Sequence, residues 1–360
     1  MTVLIAMSGG VDSSVAAYLM NEKGYECIGC TMKLYANEDV GLDMESTCCS
    51  LDDIADAREV ANSMDMPYYV LNFKENFRER VIDYFTDSYE HGRTPNPCIE
   101  CNRHLKFDQL YKRAREYGCD KIVTGHYARV DQVPEGYVLR KAVDETKDQS
   151  YVLYSLTQEQ LAHTLFPLGE YSKSEIRTIA AEHGFINADK PDSQDICFVP
   201  DGDYVAAIKR FTGKEYPEGD FVDAEGRVLG RHKGIIGYTI GQRKGLGISS
   251  DQPYFVTKLD VDKNQVVLGR SEDLFSKRVL VREVNWITPG LVQNRMEIKA
   301  KLRYRQKEQP ARLTILDDNS VELDFEEAQR AATPGQAAVF YLGDIVLGGG
   351  IIVASMKETL

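Results

Sequence analysis

Three sets of residues in this chain have types and spacings suited to chemistry. Residues 7–14 read Met, Ser, Gly, Gly, Val, Asp, Ser, Ser, directly after the apolar run Val3, Leu4, Ile5 and Ala6. Gly9 and Gly10 lack a Cβ, so the backbone there can turn sharply and approach a bound group. Val11, Val15 and Leu19 then share one helical stripe, which Gly24 ends. A strand, a glycine turn and a helix start bring free N–H groups and a positive dipole end to one point, which suits a phosphate. Ser8, Ser13 and Ser14 add hydroxyl donors, and Asp12 could hold a magnesium ion on the phosphates. An ordinary strand–turn–helix connection is the competing reading.

The second set is sulfur. Cys98 and Cys101 form a Cys-x-x-Cys pair inside 92–102, where Gly92, Pro95 and Pro97 read as loop. Cys197 lies in a further loop, Asp192, Ser193, Gln194, Asp195, Ile196, Cys197, Phe198. Thiols in such places suit a nucleophile, a persulfide carrier, an iron–sulfur cluster or zinc. Structural zinc wants four ligands, whereas three thiolates leave one position open, as a cluster with an exposed iron would. A persulfide route needs only two cysteines, one carrying sulfur and one releasing it through a disulfide bond. Spacing does not separate these routes. Cys27 and Cys30 repeat the spacing within a predicted strand, where they point to opposite faces and read as core. Cys119, after Gly118 at a helix end, reads as structural, and Cys48 and Cys49 receive no role.

The third set is cationic. In 297–306, Lys299, Lys301, Arg303 and Arg305 alternate with Ile298, Ala300, Leu302 and Tyr304. As a strand this puts four like charges on one face, which fits a phosphate-backbone footprint better than a solvated sheet face of mixed sign. The glycine-rich segment 237–247 carries Arg243 and Lys244 and is a weaker anion-binding candidate. Arg93, Arg103, His104 and Lys106 surround the first cysteine loop. Lys147, Asp148, Gln149 and Ser150 open a predicted helix.

Elements that position these residues follow from periodicity. Up to about residue 130, strands at 25–34, 68–71 and 121–124 alternate with helices at 52–65, 77–89 and 107–117. That implies an α/β fold with a parallel sheet and helices on both faces. Ligands then sit beyond the strand carboxyl ends, where the Ser8 turn and Thr124, Gly125 and His126 both fall. Residues 148–185 are predicted helical, with Ser172 and Glu175 as a capping box. Short β-like segments dominate from about 215. The expected domains are 1–205, nucleotide-binding and catalytic with a helical extension; 206–278, a small β-rich central module; and 279–360, a C-terminal β-barrel contacting RNA.

Length and composition are consistent with this. The chain has 360 residues and 8 cysteines, enough for two or three domains. No apolar stretch reaches the roughly 20 residues that span a bilayer, and no signal peptide is recognisable. The expectation is a cytoplasmic protein without a membrane partner, its cysteines reduced, metal-bound or catalytic. A net charge of −13 argues against nucleic acid overall, but such footprints are local.

The first loop is neither a Walker A sequence nor a dinucleotide fingerprint. It resembles the PP-loop, Ser-Gly-Gly-x-Asp-Ser, of enzymes that cleave ATP to AMP and pyrophosphate. Together with 92–97, Cys101 and Asn102, 124–127, 147–150, 192–198 and 238–245, it makes the whole chain resemble the bacterial tRNA-specific 2-thiouridylase family. That resemblance implies thiolation of carbon-2 of the wobble uridine in tRNA. It implies ATP and Mg2+ at Ala6, Met7, Ser8, Gly9, Gly10, Val11, Asp12 and Ser13, with Met32 and Gly125. ATP would adenylate the uridine oxygen, Cys197 would accept a persulfide and Cys101 would free the sulfur. Asn96, Pro97 and Cys98 would contact the target base, and Lys147, Asp148, Gln149, Tyr304 and Arg305 the tRNA. A cysteine desulfurase or sulfur carrier would supply sulfur. Many members carry Asp where this chain has Cys98, so Cys98, Cys101 and Cys197 also resemble the ligand set of a [4Fe–4S] cluster. The rival readings are another PP-loop enzyme, such as an amidating ligase, and a non-enzymatic RNA-binding protein.

Overall fold

The computed structural model describes residues 1–36, 51–192 and 196–356. Cys48, Cys49, Ser193, Gln194 and Asp195 lie outside the described residues.

Strand β1, Thr2–Ala6, is apolar on both faces and leads through the glycine turn into helix α1, Val11–Glu22. Strand β2, Glu26–Lys33, helix α2, Leu51–Ser63, and strand β3, Tyr68–Asn72, follow. Strand β4, Lys121–Val123, comes next. A hairpin of β5, Ala128–Val133, and β6, Gly136–Lys141, precedes strand β7, Thr164–Leu165. The first sheet is parallel in the order β3-β2-β1-β4-β7. Such sheets are buried on both faces, which is why their strands read as unbroken apolar runs. Leu4, Cys30 and Ile122 enter one apolar cluster, and Val3, Ile5, Cys27 and Val123 the other. Cys27 and Cys30 therefore point to opposite faces, as the strand period requires, and Cys119 is buried. Chain order turns back between β1 and β4, so the loops leaving their carboxyl ends diverge around a crevice.

The predicted helices are partly redrawn. The 77–89 segment runs from Lys74 to Glu90 with a wide π-type turn at Arg78–Ile82. The 107–117 segment begins at Pro97–Glu100, continues in π register over Cys101–Gln109 and ends as Leu110–Glu116. Residues 148–185 are not one helix: Ser150–Leu153 is a 3-10 turn, Gln158–Ala162 a short helix, then β7 and the helix Lys173–Glu182. Thr157 and Ser172 each open a new helix through a capping box, and Pro167 has no N–H to give.

Beyond residue 206 the chain is mostly β. A four-stranded central sheet holds Phe255–Asp260, Gln265–Gly269, Gly219–Val222 and Val228–His232. The C-terminal sheet closes on itself because its first strand, Phe275–Trp286, pairs with its last, Ile345–Met356. The β5–β6 hairpin joins that same sheet: Ile345 pairs with Arg140. Arg129 and Arg140 both bond Asp344, at 3.0 and 2.7 Å. A hairpin within the 1–205 segment thus fastens that part of the chain to the barrel. No helix among the described residues is long and apolar enough to cross a membrane.

Candidate functional site

The glycine corner leaves β1 in a conformation that its residue types require. Gly9 has φ +77°, and a Cβ there would run into the Asp53 carbonyl. Gly10 is the N-cap of α1, and no side chain caps that helix. Ser13 Oγ donates to the Gly10 carbonyl at 2.9 Å and accepts the Ser8 N–H at 3.1 Å, while Ser14 Oγ donates to the same carbonyl at 3.2 Å. The hydroxyls therefore brace the loop from within, and the first-turn N–H groups stay directed outward. Asn187, buried, donates to the Gly9 carbonyl at 3.0 Å and to Ser14 Oγ at 2.9 Å. Ala6 and Met7 lead into the turn, and Val11 is buried under it. A Cβ on Gly125 would lie 3.0 Å from the Asp12 carbonyl carbon and the Ser13 nitrogen. The β4 exit therefore packs directly on the start of α1. Met32 sits near the end of β2, beside β3.

Asp12 is engaged differently from the expected magnesium ligand. Its carboxylate receives Lys173 Nζ at 2.7 and 2.8 Å and the Tyr127 hydroxyl at 2.7 Å. Among the described residues no three His, Cys, Asp or Glu side chains are grouped to hold a metal. With Asp12 so engaged, the residues present do not fit a protein-held magnesium ion. Among the described residues Cys98, Cys101 and Cys197 likewise form no such group, and no step is drawn through a cluster.

Asp192 is the second hub. It receives Lys147 at 2.8 Å, Lys173 at 2.7 Å and Arg177 at 3.1 Å. Burial opposes its ionisation, but the lysine bonds prevail and hold its pKa down to about 2. Lys190 clamps the neighbouring chain to α2 through Asp53 at 2.5 Å and Asp56 at 2.8 Å.

The cysteine loop is fastened to the barrel by neutral bonds. Thr94 N donates to the Pro334 carbonyl at 2.9 Å, and Gln336 Nε2 donates to the Thr94 carbonyl at 2.9 Å. Asn96 Oδ1 accepts the Cys98 N–H at 3.1 Å, and Pro97 starts the helix. The side chain of Asn96 is thereby committed as a cap. Cys98 is exposed, and desolvation by the surrounding loop raises its thiol pKa against the pull of Lys106. Cys101 is buried, and desolvation raises its pKa to about 11; Lys106 lowers it and Cys98 raises it. In an α-helix, residues five apart diverge by about 140°. The π register shortens that divergence and brings Lys106 toward Cys101. His126 is also buried near Lys106, its pKa pushed well below normal, and it bonds Thr124 Oγ1 at 2.7 Å. Cys197 packs against the same apolar cluster that contains Cys101, and its carbonyl accepts the Tyr35 hydroxyl at 2.7 Å. None of the described cysteines is in a disulfide.

A cleft of about 960 Å³ opens between this half and the barrel. Ser8, Gly10 and Asp12 form one wall, Lys147 and Asp192 another, and Tyr304 and Arg305 the barrel side. Burial raises the Tyr304 phenol, as do Asp148 and Cys98 beside it, so the cysteine loop adjoins the barrel rim. The tRNA candidates are unequal. Tyr304 and Arg305 are exposed, and Lys299 and Lys307 line the same wall without an ion pair among the described residues. Asp148 is buried and accepts Ser150 Oγ at 2.8 Å and Ala142 N at 3.1 Å, while Gln149 accepts Tyr127 N at 2.9 Å. The four-cation stripe ends early. The strand stops at Lys301, and Arg303 turns inward to the Ala331 carbonyl and Thr333, both at 2.8 Å. Lys301 lies 3.6 Å from Asp148.

Fold and corner define an α/β nucleotide-type domain carrying two appended β modules. Residues 1–201 match the tRNA methyl transferase HUP domain, 206–270 the tRNA methyl transferase PRC-barrel domain and 276–352 the Aminomethyltransferase beta-barrel domain. The chain is 52% identical over 356 residues to the tRNA-specific 2-thiouridylase MnmA of Clostridioides difficile, covering 98% of each. It is 52% identical over 350 residues to that of Clostridium acetobutylicum, covering 97% of this chain and 99% of the relative. The chain belongs to the tRNA-specific 2-thiouridylase family.

Lys173, Asn187 and Gln336 were missed from sequence, and Tyr127 was noted only as part of the 124–127 motif, without a role. Lys173 follows a capping-box serine and looked like an ordinary helix start, and its partners lie far away in the chain.

Proposed function

We propose that this protein is an ATP-dependent tRNA-uridine 2-sulfurtransferase working through a cysteine persulfide. The observation that carries the reading is the single cleft: the open N-terminus of α1 and the cationic barrel rim face the same space, and the cysteine loop adjoins that rim. ATP lies at Ala6 to Ser13 and Gly125, its phosphates on the α1 N–H groups. The uridine O2 attacks the α-phosphorus; that P–O bond forms, the bond to the β-phosphate breaks and pyrophosphate leaves. The N3 proton is given up on activation and regained as the thiocarbonyl forms. An amide-like oxygen is a poor leaving group until it is phosphorylated, which is the chemical need for ATP.

Cys197 brings the sulfur as a persulfide, received from a cysteine desulfurase or sulfur-carrier protein. Its terminal sulfur bonds to C2, and AMP departs with O2 and the electron pair of the C2–O bond. The Cys101 thiolate then attacks Cys197 Sγ. The S–S bond breaks toward the sulfur on C2, releasing 2-thiouridine and leaving a Cys101–Cys197 disulfide. A thiol reductant resets the pair. Asn96, Pro97 and Cys98 flank the base. Lys147, Asp148 and Gln149 shape the wall, and Tyr304 and Arg305, with Lys299 and Lys307, meet tRNA phosphates. The substrates place the enzyme in the cytoplasm.

Purified protein with ATP, magnesium, tRNA, a thiol reductant, and cysteine plus a cysteine desulfurase as the persulfide source is expected to yield thiolated uridine and AMP in equal amounts, read by nucleoside mass spectrometry. C101S and C197S should lose the thiolated product. ADP instead of AMP, or full activity in both variants, overturns the reading.

A further inference from the structure

Asp12 belongs to the nucleotide corner, and Asp192 lies five residues before Cys197 in the chain. One ammonium joins them: Lys173 Nζ lies 2.7 and 2.8 Å from the two Asp12 oxygens and 2.7 Å from Asp192 Oδ1. Its side chain is 11% exposed, and it lies behind the cleft wall that Asp12 and Asp192 face. It is held there from several sides. Its own N–H donates to Asp144 Oδ2 at 3.0 Å, its ammonium sits 5.8 Å from the Tyr127 ring centroid, and Tyr127 bonds Asp12. A lysine so placed is screened from solvent and cannot satisfy one carboxylate without fixing the other. Neither the nucleotide loop nor the cysteine loop contains it.

We propose that Lys173 is a positioning residue that holds the nucleotide corner and the sulfur-bearing loop in register, so that each activated uridine meets the sulfur. The inference rests on the ATP-dependent reading above. Lys173 touches neither substrate; it acts through Asp12 and Asp192. Without it, Asp12 keeps the Tyr127 hydroxyl and Asp192 keeps Lys147 and Arg177, but the two loops lose their common anchor. Activation and sulfur transfer then proceed out of step, and adenylated uridine is lost to water instead of thiolated.

The ratio of thiouridine formed to AMP released tests this, because a merely structural lesion lowers both amounts together and leaves the ratio alone. Wild-type protein is assayed with ATP, magnesium, tRNA, a thiol reductant, and cysteine plus a cysteine desulfurase as the persulfide source, beside K173M, D192N and the double variant. K173M is expected to lower the ratio by about fivefold or more, and D192N, which leaves the Lys173–Asp12 pair intact, to lower it in the same direction. In the double variant the ratio should fall no further than in K173M, since both changes cut one tie. K173M should also raise the ATP KM, and the double variant should recover part of that rise because one carboxylate has gone. If K173M does not fold, D192N alone decides. Variants that keep the wild-type ratio while both products fall overturn the assignment of Lys173. Wild-type protein that releases no AMP overturns the ATP-dependent reading, and the coupling falls with it.

Discussion

Two helix starts, one on the wall of the cleft and one in the cysteine loop tied to the barrel, are built in opposite ways. At α1 the N-cap is Gly10, no side chain caps the helix, and the serines bond inward to the Gly10 carbonyl. At Pro97–Glu100 the Asn96 side chain fills the Cys98 N–H, and Pro97 has no N–H to offer. The first start is open to an anion and the second is closed. The ties differ as well. Lys173 and Lys190 hold the open corner through ion pairs, whereas backbone and amide bonds to Pro334 and Gln336 hold the closed one. Phosphate chemistry needs unpaired donors. Thiol chemistry needs a fixed sulfur, and burial suppresses the charge of Cys101.

Closing the open start should have the largest effect. Gly10 has φ −94° and ψ 159°, a region any residue adopts, and a Cβ there meets only Ser8 Oγ at 3.6 Å. G10D should therefore fold and cap α1, with stability changed by only a few tenths of a kcal/mol. Its carboxylate would occupy the phosphate position, so ATP affinity should drop roughly 100-fold, or about 2.7 kcal/mol, by equilibrium dialysis. Unchanged ATP binding would remove the α1 N-terminus from the site.

The sulfur side makes the next prediction. Burial raises Cys101 to about 11, and Lys106 offsets part of that rise. Alkylation of Cys101, followed by peptide mass spectrometry, should therefore rise by about tenfold per pH unit from neutrality toward pH 11. K106M removes the offset, so its rate should fall several-fold at every pH below 11 and converge with wild type above it. A flat pH profile, or a K106M rate equal to wild type, would mean that Lys106 does not face the thiol.

These contrasts were only partly legible in the sequence. The glycine corner, its strand and its helix could be read because Gly9 and Gly10 interrupt a short apolar run at the one place a β–α turn needs them. Cys27 and Cys30 were assigned to opposite faces by strand period alone. The β5–β6 hairpin was missed, although Pro134, Glu135 and Gly136 sit between two alternating segments and signal a turn. Its pairing with Ile345 is set by tertiary contact and leaves no local trace. The π register of Cys101–Gln109 was likewise hidden, since composition does not distinguish i→i+5 from i→i+4 bonding; that register decides which cation Cys101 meets. The alternation at 297–306 suggested a longer strand than forms, because Arg303 finds carbonyl and hydroxyl partners inside the barrel.

The charged and neutral ties should part under acid. Asp192 has its pKa lowered to about 2, so the stability it contributes is present above its unfolded value near 4 and is lost as pH falls from there toward 2. With solvent screening, that contribution is on the order of 1 kcal/mol. The stability gap between wild type and D192N, from urea midpoints, should shrink over that window. Amide exchange around 187–192 should quicken there, while exchange of Thr94 N–H, bonded to a backbone carbonyl, should not follow it.

Opening the closed start gives the smallest effect. N96A leaves the Cys98 N–H without its side-chain acceptor, at a cost of about 1 kcal/mol and a melting point lower by a few degrees. The helix it opens is only four residues long before the π register begins, so its dipole is weak and the freed donor should attract no phosphate. ATP affinity should stay at the wild-type value, in contrast to G10D. If N96A instead weakened ATP binding as strongly as G10D, the two starts would be one site, and the division between an open phosphate corner and a closed sulfur corner would be lost.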